Sequence, residues 1–156
     1  MILLSMLLAA APGDKLPPAN PVPLDTSAET AVLEPVNAIF AALDKGDAAA
    51  MLQHVYPDGR VSAIGPRRDG AQGLRQESWT KFAERLKLGA GFAERIWDPA
   101  IDIDGDIAMV WASYDVRVAG KVTNCGVDHF DLIREGGVWK VMNLTFSSRT
   151  TGCAGQ

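Results

Sequence analysis

The sequence predicts a one-domain α+β protein in which a strongly curved antiparallel sheet wraps around N-terminal helices and encloses an apolar pocket. Three observations favour this class. Apolar residues at helical spacing are concentrated in the first half of the chain, alternation with a period of two begins near residue 92, and glycine-containing turns separate the alternating segments. Helices followed by hairpin-connected strands are typical of an antiparallel sheet that carries helices on one face.

The composition is that of a folded globular protein, and it excludes several classes of function. The 156 residues suit one domain with its own core, and 47% of them are hydrophobic while 22% are charged. The net charge is −4 and Arg67-Arg68 is the only adjacent basic pair, so no nucleic-acid partner is expected. The histidines and cysteines lack zinc-site spacing, and phosphate-binding and dinucleotide-binding motifs are missing, so we expect no metal and no cofactor.

The chain divides into four segments. Residues 1–11 are apolar, too short to span a bilayer, and interpreted as a signal peptide or an apolar tail. Residues 12–25 hold five prolines and are predicted to be a linker, the domain occupies 26–150, and 151–156 form a C-terminal tail. A signal peptide would make the protein periplasmic or secreted, and a mere apolar tail would leave it cytoplasmic.

The two cysteines, Cys125 and Cys153, allow two interpretations. In an exported protein a small even number of cysteines indicates a disulfide, and the alternative is a pair of unrelated buried thiols. In the chain-entropy account, a loop of this length would stabilise the fold by roughly 3–4 kcal/mol.

The helices are predicted from caps and apolar spacing. Thr26–Glu29 resembles a capping box that opens a first helix, Pro35 either kinks this helix or marks its start, and Lys45-Gly46 ends it. Asp47 caps a short second helix, and Ser78 caps a third helix over 79–88. The apolar stripe of the first helix consists of Val32, Val36, Ile39, Phe40 and Leu43.

The strands are predicted from alternation and turn residues, and residues 66–76, rich in glycine and arginine, are predicted to be a loop. Strands are expected at 60–65, 92–103, 107–118, 121–135 and 138–148, with turns at Asp104-Gly105, Ala119-Gly120 and Gly136-Gly137.

The turns suggest which side chains share a face of the sheet. A two-residue turn at Ala119-Gly120 pairs Val118 with Lys121 and places Trp111 opposite Asp128. A three-residue turn with a bulge at Gly136-Gly137 sorts the apolar residues better than a two-residue turn, and it pairs Phe130 with Leu144 and Leu132 with Met142. The face predicted to meet the helices then carries Met109, Trp111, Ser113, Asp115, Asp128, Phe130, Leu132, Met142, Leu144 and Phe146.

The opposite, convex face would carry Tyr114, Trp139 and Val141, which are too apolar to be left in water. A mixed face with aromatic residues suggests a homodimer interface. The alternative is that loops or long side chains cover it.

Six segments resemble the nuclear transport factor 2-like superfamily, which includes ketosteroid isomerases and SnoaL-like cyclases. The resemblance covers residues 30–148 and implies a cystatin-like, cone-shaped α+β barrel around a pocket, often a dimer through its sheet. The segments are Ala41–Asp47, Met51–Gly59, Val110–Tyr114, Cys125–Phe130, Leu132–Arg134 and Gly137–Val141.

The resemblance also makes Asp128 a candidate catalytic acid, because ketosteroid isomerases place an acid on the comparable strand. A carboxyl in an apolar site has a raised pKa and can donate a hydrogen bond, while the alternative is a structural aspartate. Asp115 is a second, accessory candidate. The isomerase base is absent from Arg60–Gly65, because no acid occurs before Asp69, and this argues against steroid isomerisation.

Three functions are therefore compared. The first is binding of a small apolar or aromatic molecule in the pocket, the second is a lyase, isomerase or hydrolase that uses Asp128, and the third is a structural dimer without a ligand. The residues predicted to line the pocket are Tyr56, Met109, Trp111, Ser113, Phe130, Leu144 and Phe146.

Overall fold

A computed structural model describes residues 26–67, 70–87, 89 and 92–153. The predictions for residues 1–25 and for the end of the C-terminal tail lie outside the described residues. The elements in chain order are α1 (Thr26–Lys45), α2 (Ala48–Leu52), β1 (Arg60–Pro66), β2 (Gln72–Ser78), α3 (Trp79–Ala83), β3 (Phe92–Asp104), β4 (Ile107–Val118), β5 (Lys121–Glu135) and β6 (Val138–Ser147).

The helices confirm the capping and spacing arguments. Helix α1 runs through Pro35 without ending, and its predicted apolar stripe is buried. The chain leaves this helix at Gly46, whose positive φ of 68° suits glycine at a helix C-terminus. The Asp47 side chain caps α2 by accepting from the Ala50 N–H, and the Ser78 hydroxyl caps α3 in the same way. Helix α3 is shorter than predicted, since it ends at Ala83.

The six strands form one sheet in the order β2-β1-β6-β5-β4-β3. Neighbours are antiparallel as predicted, except that β1 runs parallel to β6. Strand β2 lies where a loop was predicted, and that prediction is wrong. As an edge strand with mostly exposed polar side chains, β2 has no apolar alternation by which a sequence could reveal it.

A bulge in β5 reverses the predicted facing of β4. Val118 pairs with Lys121 as predicted, but Thr123 is an extra residue, so Trp111 lies opposite His129 and not Asp128. One extra residue on one strand sends every later side chain of the partner to the other face. The prediction that β4 turns its odd-numbered residues inward is therefore wrong. Met109, Trp111, Ser113 and Asp115 lie on the convex face, and Ala108, Val110, Ala112, Tyr114 and Val116 face the helices.

A second bulge, at Met142 of β6, makes the predicted register of β5 and β6 wrong on the side of the bulge that leads to their turn. Phe130 pairs with Leu144 as predicted, but Leu132 pairs with Val141, and Met142 is the extra residue. The turn has two residues rather than three, because Gly136 and Gly137 both take a positive φ. Trp139 and Val141 are consequently buried on the concave face instead of forming a dimer interface.

The core lies between α1 and the concave face of the sheet. Val36 and Ile39 are buried there, and the edge of one ring of the Phe40–Phe130 pair meets the face of the other at a centroid distance of 6.0 Å. The Cys125–Cys153 disulfide, predicted as one of two alternatives, is confirmed and ties the C-terminal segment to β5. Within the described ranges no helix is both long and apolar enough to cross a membrane.

Candidate functional site

A cavity of about 410 Å³ opens between the end of α1, the region of α3 and the concave face of the sheet. Its walls are mainly aromatic and aliphatic, which is typical of a small-molecule site. The Trp79 indole N–H donates to the Met142 carbonyl at 3.0 Å, so this ring has a fixed position in the wall. The aromatic residues that line the cavity are Phe40, Trp79, Phe82, Phe92, Tyr114 and Phe146.

Three of the predicted lining residues lie at or next to this cavity. Leu144 and Phe146 line it directly. Phe130 faces the same side but is fully buried against Phe40, so it supports the wall without lining it.

The other four predicted lining residues are elsewhere, and for them the prediction is wrong. Met109 and Trp111 are 37% and 53% exposed on the convex face, where Ser113 also lies, because of the Thr123 bulge. Tyr56 lies beside β6, and its hydroxyl donates to the carboxylate of Glu135 at the end of β5, at 3.2 Å.

Asp115, the accessory catalytic candidate, forms an ion pair on the convex face. Its carboxylate accepts two hydrogen bonds from the Arg95 Nε and one at 2.7 Å from Nη2, and it contacts Arg117 at 3.3 Å. The hydrogen bonds from Arg95 hold the pKa of Asp115 below its usual range. Asp115 therefore stays ionised and lies on the opposite side of the sheet from the cavity.

Asp128 lies on the concave face, as predicted, and is fully buried beside Phe146, its partner on β6. Neither carboxyl oxygen has a hydrogen-bond partner among the described residues. Burial raises the pKa of Asp128 well above its ordinary value, and the nearby charge of Glu94 raises it further. Asp128 thus holds its proton to a higher pH than an aspartate in water does, and its role in catalysis remains a prediction.

Glu94 is a buried-side carboxyl of the cavity that the sequence interpretation missed. It lies on β3 opposite Val116, lines the cavity and is partly buried. Burial raises the pKa of Glu94 to about 8. The available signal was its position between Phe92 and Ile96, because a carboxyl that shares a strand face with two apolar residues is placed on the buried side.

Tyr114 and Asn124 complete a polar cluster with Glu94 and Asp128. The Tyr114 ring packs edge-on against Phe146, its hydroxyl donates to the Ser147 carbonyl at 2.9 Å, and burial raises its pKa. The Asn124 side chain lines the cavity, and its Oδ1 is buried without a donor. The cluster therefore offers a ligand an unused amide acceptor and a carboxyl that is mostly protonated below pH 8.

Within the described ranges, no group of three or more histidine, cysteine, aspartate or glutamate side chains could hold a metal ion. The chemistry available to the polar cluster is hydrogen bonding and proton transfer in an apolar setting.

Solved structures of the same fold come from several bacteria. A nuclear transport factor 2-like protein with a cystatin-like fold from Novosphingobium aromaticivorans has a TM-score of 0.61 and 16% identity over 83% of this chain and 86% of its own. A superfamily member from Salmonella enterica has a TM-score of 0.61 and 18% identity over 84% and 97%. A cystatin-like protein of unknown function from Nostoc punctiforme has a TM-score of 0.63 and 13% identity over 82% and 96%.

These identities show the fold alone. A search among curated proteins found no match. The sequence profile of the family described as "Putative lumazine-binding" matches residues 27–147, which is most of the chain. The profile and the fold together indicate a domain of a ligand-binding or enzyme-like type. The chain therefore belongs to the family described as "Putative lumazine-binding", and its fold is the nuclear transport factor 2-like, cystatin-like fold of these structures.

Proposed function

We propose that the protein binds a small planar heteroaromatic molecule in the cavity and hydrogen-bonds its N–H/C=O edge through Glu94. The observation that carries the proposal is a cavity with aromatic walls that contains a carboxyl kept protonated by burial. The family description supports it, because lumazine is a bicyclic ring system whose edge carries adjacent N–H and C=O groups.

The proposed recognition follows from the chemistry of a neutral carboxyl. Protonated Glu94 can donate its O–H to a ligand carbonyl while its other oxygen accepts from the neighbouring N–H. Asn124 Oδ1, which lacks a donor, can accept a further N–H. The rings of Phe92 and Phe146 then provide the apolar contact area for the flat body of the ligand.

Calorimetric titration with lumazine at about pH 6, below the pKa of Glu94, tests this proposal. A dimethylated lumazine, in which methyl groups replace both N–H protons, should bind roughly thirty-fold more weakly, because two hydrogen bonds of about 1 kcal/mol each are lost. Glu94→Ala should lose the same factor and Glu94→Gln should lose little, since glutamine also donates and accepts.

Glu135→Ala is the matched control, because Glu135 lies at the end of β5 with Tyr56 and is not part of the cavity lining. If neither lumazine nor its dimethylated form binds to the wild-type protein, the proposal is wrong and a structural role without a ligand becomes the better explanation.

A second candidate function is proton transfer by the two carboxyls of the polar cluster. The supporting observation is that burial raises the pKa values of both Glu94 and Asp128, so one carboxyl can serve as a base while the other stays a neutral donor. The enzyme would then become faster with rising pH through about 8, as Glu94 ionises. Asp128→Asn should remove most of any turnover detected, and an unaffected rate would contradict this candidate.

We propose that the protein is exported. The disulfide supports export, since such bridges persist in oxidising compartments, and so does the apolar segment 1–11. Mass spectrometry of the protein from a fractionated bacterial host should find a shortened chain without free thiols in the periplasm. A full-length chain with two alkylated cysteines in the cytoplasm would contradict export.

We propose a homodimer through the convex face. The support is an apolar row on β4, with Trp111 and Met109 exposed, and a complementary distribution of charge around it. Asp102 and Asp131 flank Met109, while two cations, Arg95 and Arg117, contact the single carboxylate of Asp115 at the other end. A two-fold axis near Trp111 would bring the acidic end of one copy to the basic end of the other.

Sedimentation velocity tests the dimer. Trp111→Glu should convert it to monomer, while Val138→Glu, which changes an exposed apolar residue at a turn away from this row, should not. A wild-type protein that stays monomeric at high concentration would contradict the proposal.

A further inference from the structure

The mouth of the cavity carries a cluster of cationic side chains. Arg75 extends from the edge strand β2, and Arg85 and Lys87 follow helix α3. One carboxylate, Glu77, lies among them and forms an ion pair with Arg85. Since the chain as a whole has a net charge of −4, a local excess of positive charge at this opening stands out from the rest of the molecule.

The cations of this cluster differ in whether a carboxylate forms an ion pair with them. Arg85 is held by Glu77 and also lies over the Phe82 ring at 5.2 Å, so its guanidinium belongs to the wall. Within the described part of the chain, Arg75 and Lys87 have no carboxylate at salt-bridge distance, and both side chains are exposed. Among the described residues they are therefore the two cations of the cluster without a carboxylate partner, and an anionic group of a ligand can pair with them.

The inner and outer ends of the cavity differ in charge. At the inner end, burial keeps the Glu94 carboxyl mostly neutral at physiological pH, so it does not repel an anion. Aromatic rings form much of the cavity wall, and the exposed Arg75 and Lys87 are the cationic part of the lining. An occupant that matches all three features has a hydrogen-bonding edge, a flat apolar body and an anionic substituent.

We propose that the ligand is a planar molecule that carries an anionic group, a carboxylate, sulfonate or phosphate, and that Arg75 and Lys87 bind this group at the mouth of the cavity. This inference rests on the proposed function, because it assigns the outer part of the same ligand. It adds a charge requirement that the family description does not contain.

Two fluorescent probes separate the contribution of an anionic group to binding from the contribution of an aromatic body. Anilinonaphthalene sulfonate and neutral phenylnaphthylamine share the same aromatic body and differ by the sulfonate. We expect the sulfonate probe to bind roughly five- to ten-fold more tightly at low salt, because ion pairs at partly exposed cations are individually weak. High sodium chloride should abolish this preference and leave the neutral probe unaffected. Excess lumazine should displace both probes.

A double variant tests whether Arg75 and Lys87 bind the anionic group. Arg75→Gln combined with Lys87→Gln should remove the preference for the sulfonate probe and keep the affinity for the neutral probe within two-fold. Lys140→Gln is the charge-matched control, because Lys140 lies on β6 away from the cavity lining. Its affinities for both probes should equal those of the wild type.

The outcomes distinguish the two proposals. If phenylnaphthylamine binds and is displaced by lumazine, but the sulfonate probe shows no salt-sensitive preference, the anionic ligand is wrong and the proposed function stands. If neither probe is displaced by lumazine, the proposed function itself fails, and this inference fails with it.

Discussion

Two buried aspartates on neighbouring strands show how differently the two faces of the sheet treat a carboxyl group. Asp115 on β4 is 1% exposed and accepts hydrogen bonds from Arg95, whereas Asp128 on β5 is 0% exposed and has no hydrogen-bond partner among the described residues. The pKa of Asp115 is lowered and that of Asp128 is raised. Burial by itself therefore does not determine protonation, and the decisive factor is whether a cation accompanies the carboxyl.

The two aspartates also show that the convex and the concave face of the sheet offer different chemical environments. On the convex side the charge is neutralised by the ion pair, and the face is available for contact with another copy of the chain. On the concave side Asp128 belongs to a polar cluster without cations and lies near an apolar cavity. This is an environment in which neutral carboxyls are retained and can donate hydrogen bonds.

The largest expected effect comes from adding one methyl group on the concave side beside Asp128. A Cβ at Gly126 would lie 2.0 Å from the Ser147 carbonyl oxygen, which is backbone and cannot rotate away. Gly126→Ala should lower the free energy of unfolding by roughly 2–4 kcal/mol. Ser113→Ala, on the convex face of β4, is the control and should change it by about 0.5 kcal/mol or less. Equal urea midpoints for the two variants would contradict this packing.

The next effect concerns pH. The pKa of Glu94 is about 8 in the folded protein and ordinary, near 4.5, in the unfolded chain. Between these values the folded state holds the extra proton, so the free energy of unfolding falls as pH rises, by up to about 1.4 kcal/mol per pH unit. Glu94→Gln should make this slope shallower. Urea denaturation at a series of pH values measures it, and an unchanged slope would place the Glu94 carboxyl in water.

Asp128→Asn should stabilise the protein. Its folded-state pKa is raised, so above the unfolded value near 3.8 the aspartate favours the unfolded chain, and asparagine removes this penalty. We expect the free energy of unfolding at neutral pH to rise, which urea denaturation of the two proteins side by side measures. A loss of stability at neutral pH would instead reveal an ionised Asp128 with a partner.

The smallest effect is expected for Asp115→Asn. Because the folded-state pKa of Asp115 is lowered, the ion pair contributes stability above pH 3.8, and this contribution disappears as pH falls through the folded value. Arg95 is more than half exposed, so the loss at neutral pH should be about 0.5–1 kcal/mol. The opposite signs of the two aspartate variants at neutral pH test the comparison, and equal signs would refute it.

The sequence interpretation succeeded where the deciding signals are short in range. The apolar stripe of α1, the caps at Asp47 and Ser78, and the turns around Gly105 and Gly120 come from neighbouring residues, and the structure confirms them. The resemblance to the nuclear transport factor 2-like superfamily added the expected architecture, which the family profile and the solved structures confirm.

The interpretation failed where a single bulge residue shifted the register between two strands and so reversed which side chains face the helices. The bulge at Thr123 moved Trp111 and Asp115 out of the predicted pocket, and the bulge at Met142 moved Trp139 into the core. Glu94 was missed for a related reason, since its neighbours on the far side of the sheet could not be known without the register. Of the site residues, the concave placement of Asp128, Phe130, Leu144 and Phe146 was predicted correctly.

Local patterns were enough to settle the fold class and the bounds of most elements, while they left a disulfide between the two cysteines as one of two alternatives. The faces of β4, the polar cluster around Glu94 and the cationic mouth of the cavity depended on long-range strand pairing. The physical reason is the two-residue period of a strand. Where an extra residue is accommodated depends on how strands pack across the whole sheet, and that one residue determines which side chains meet the helices.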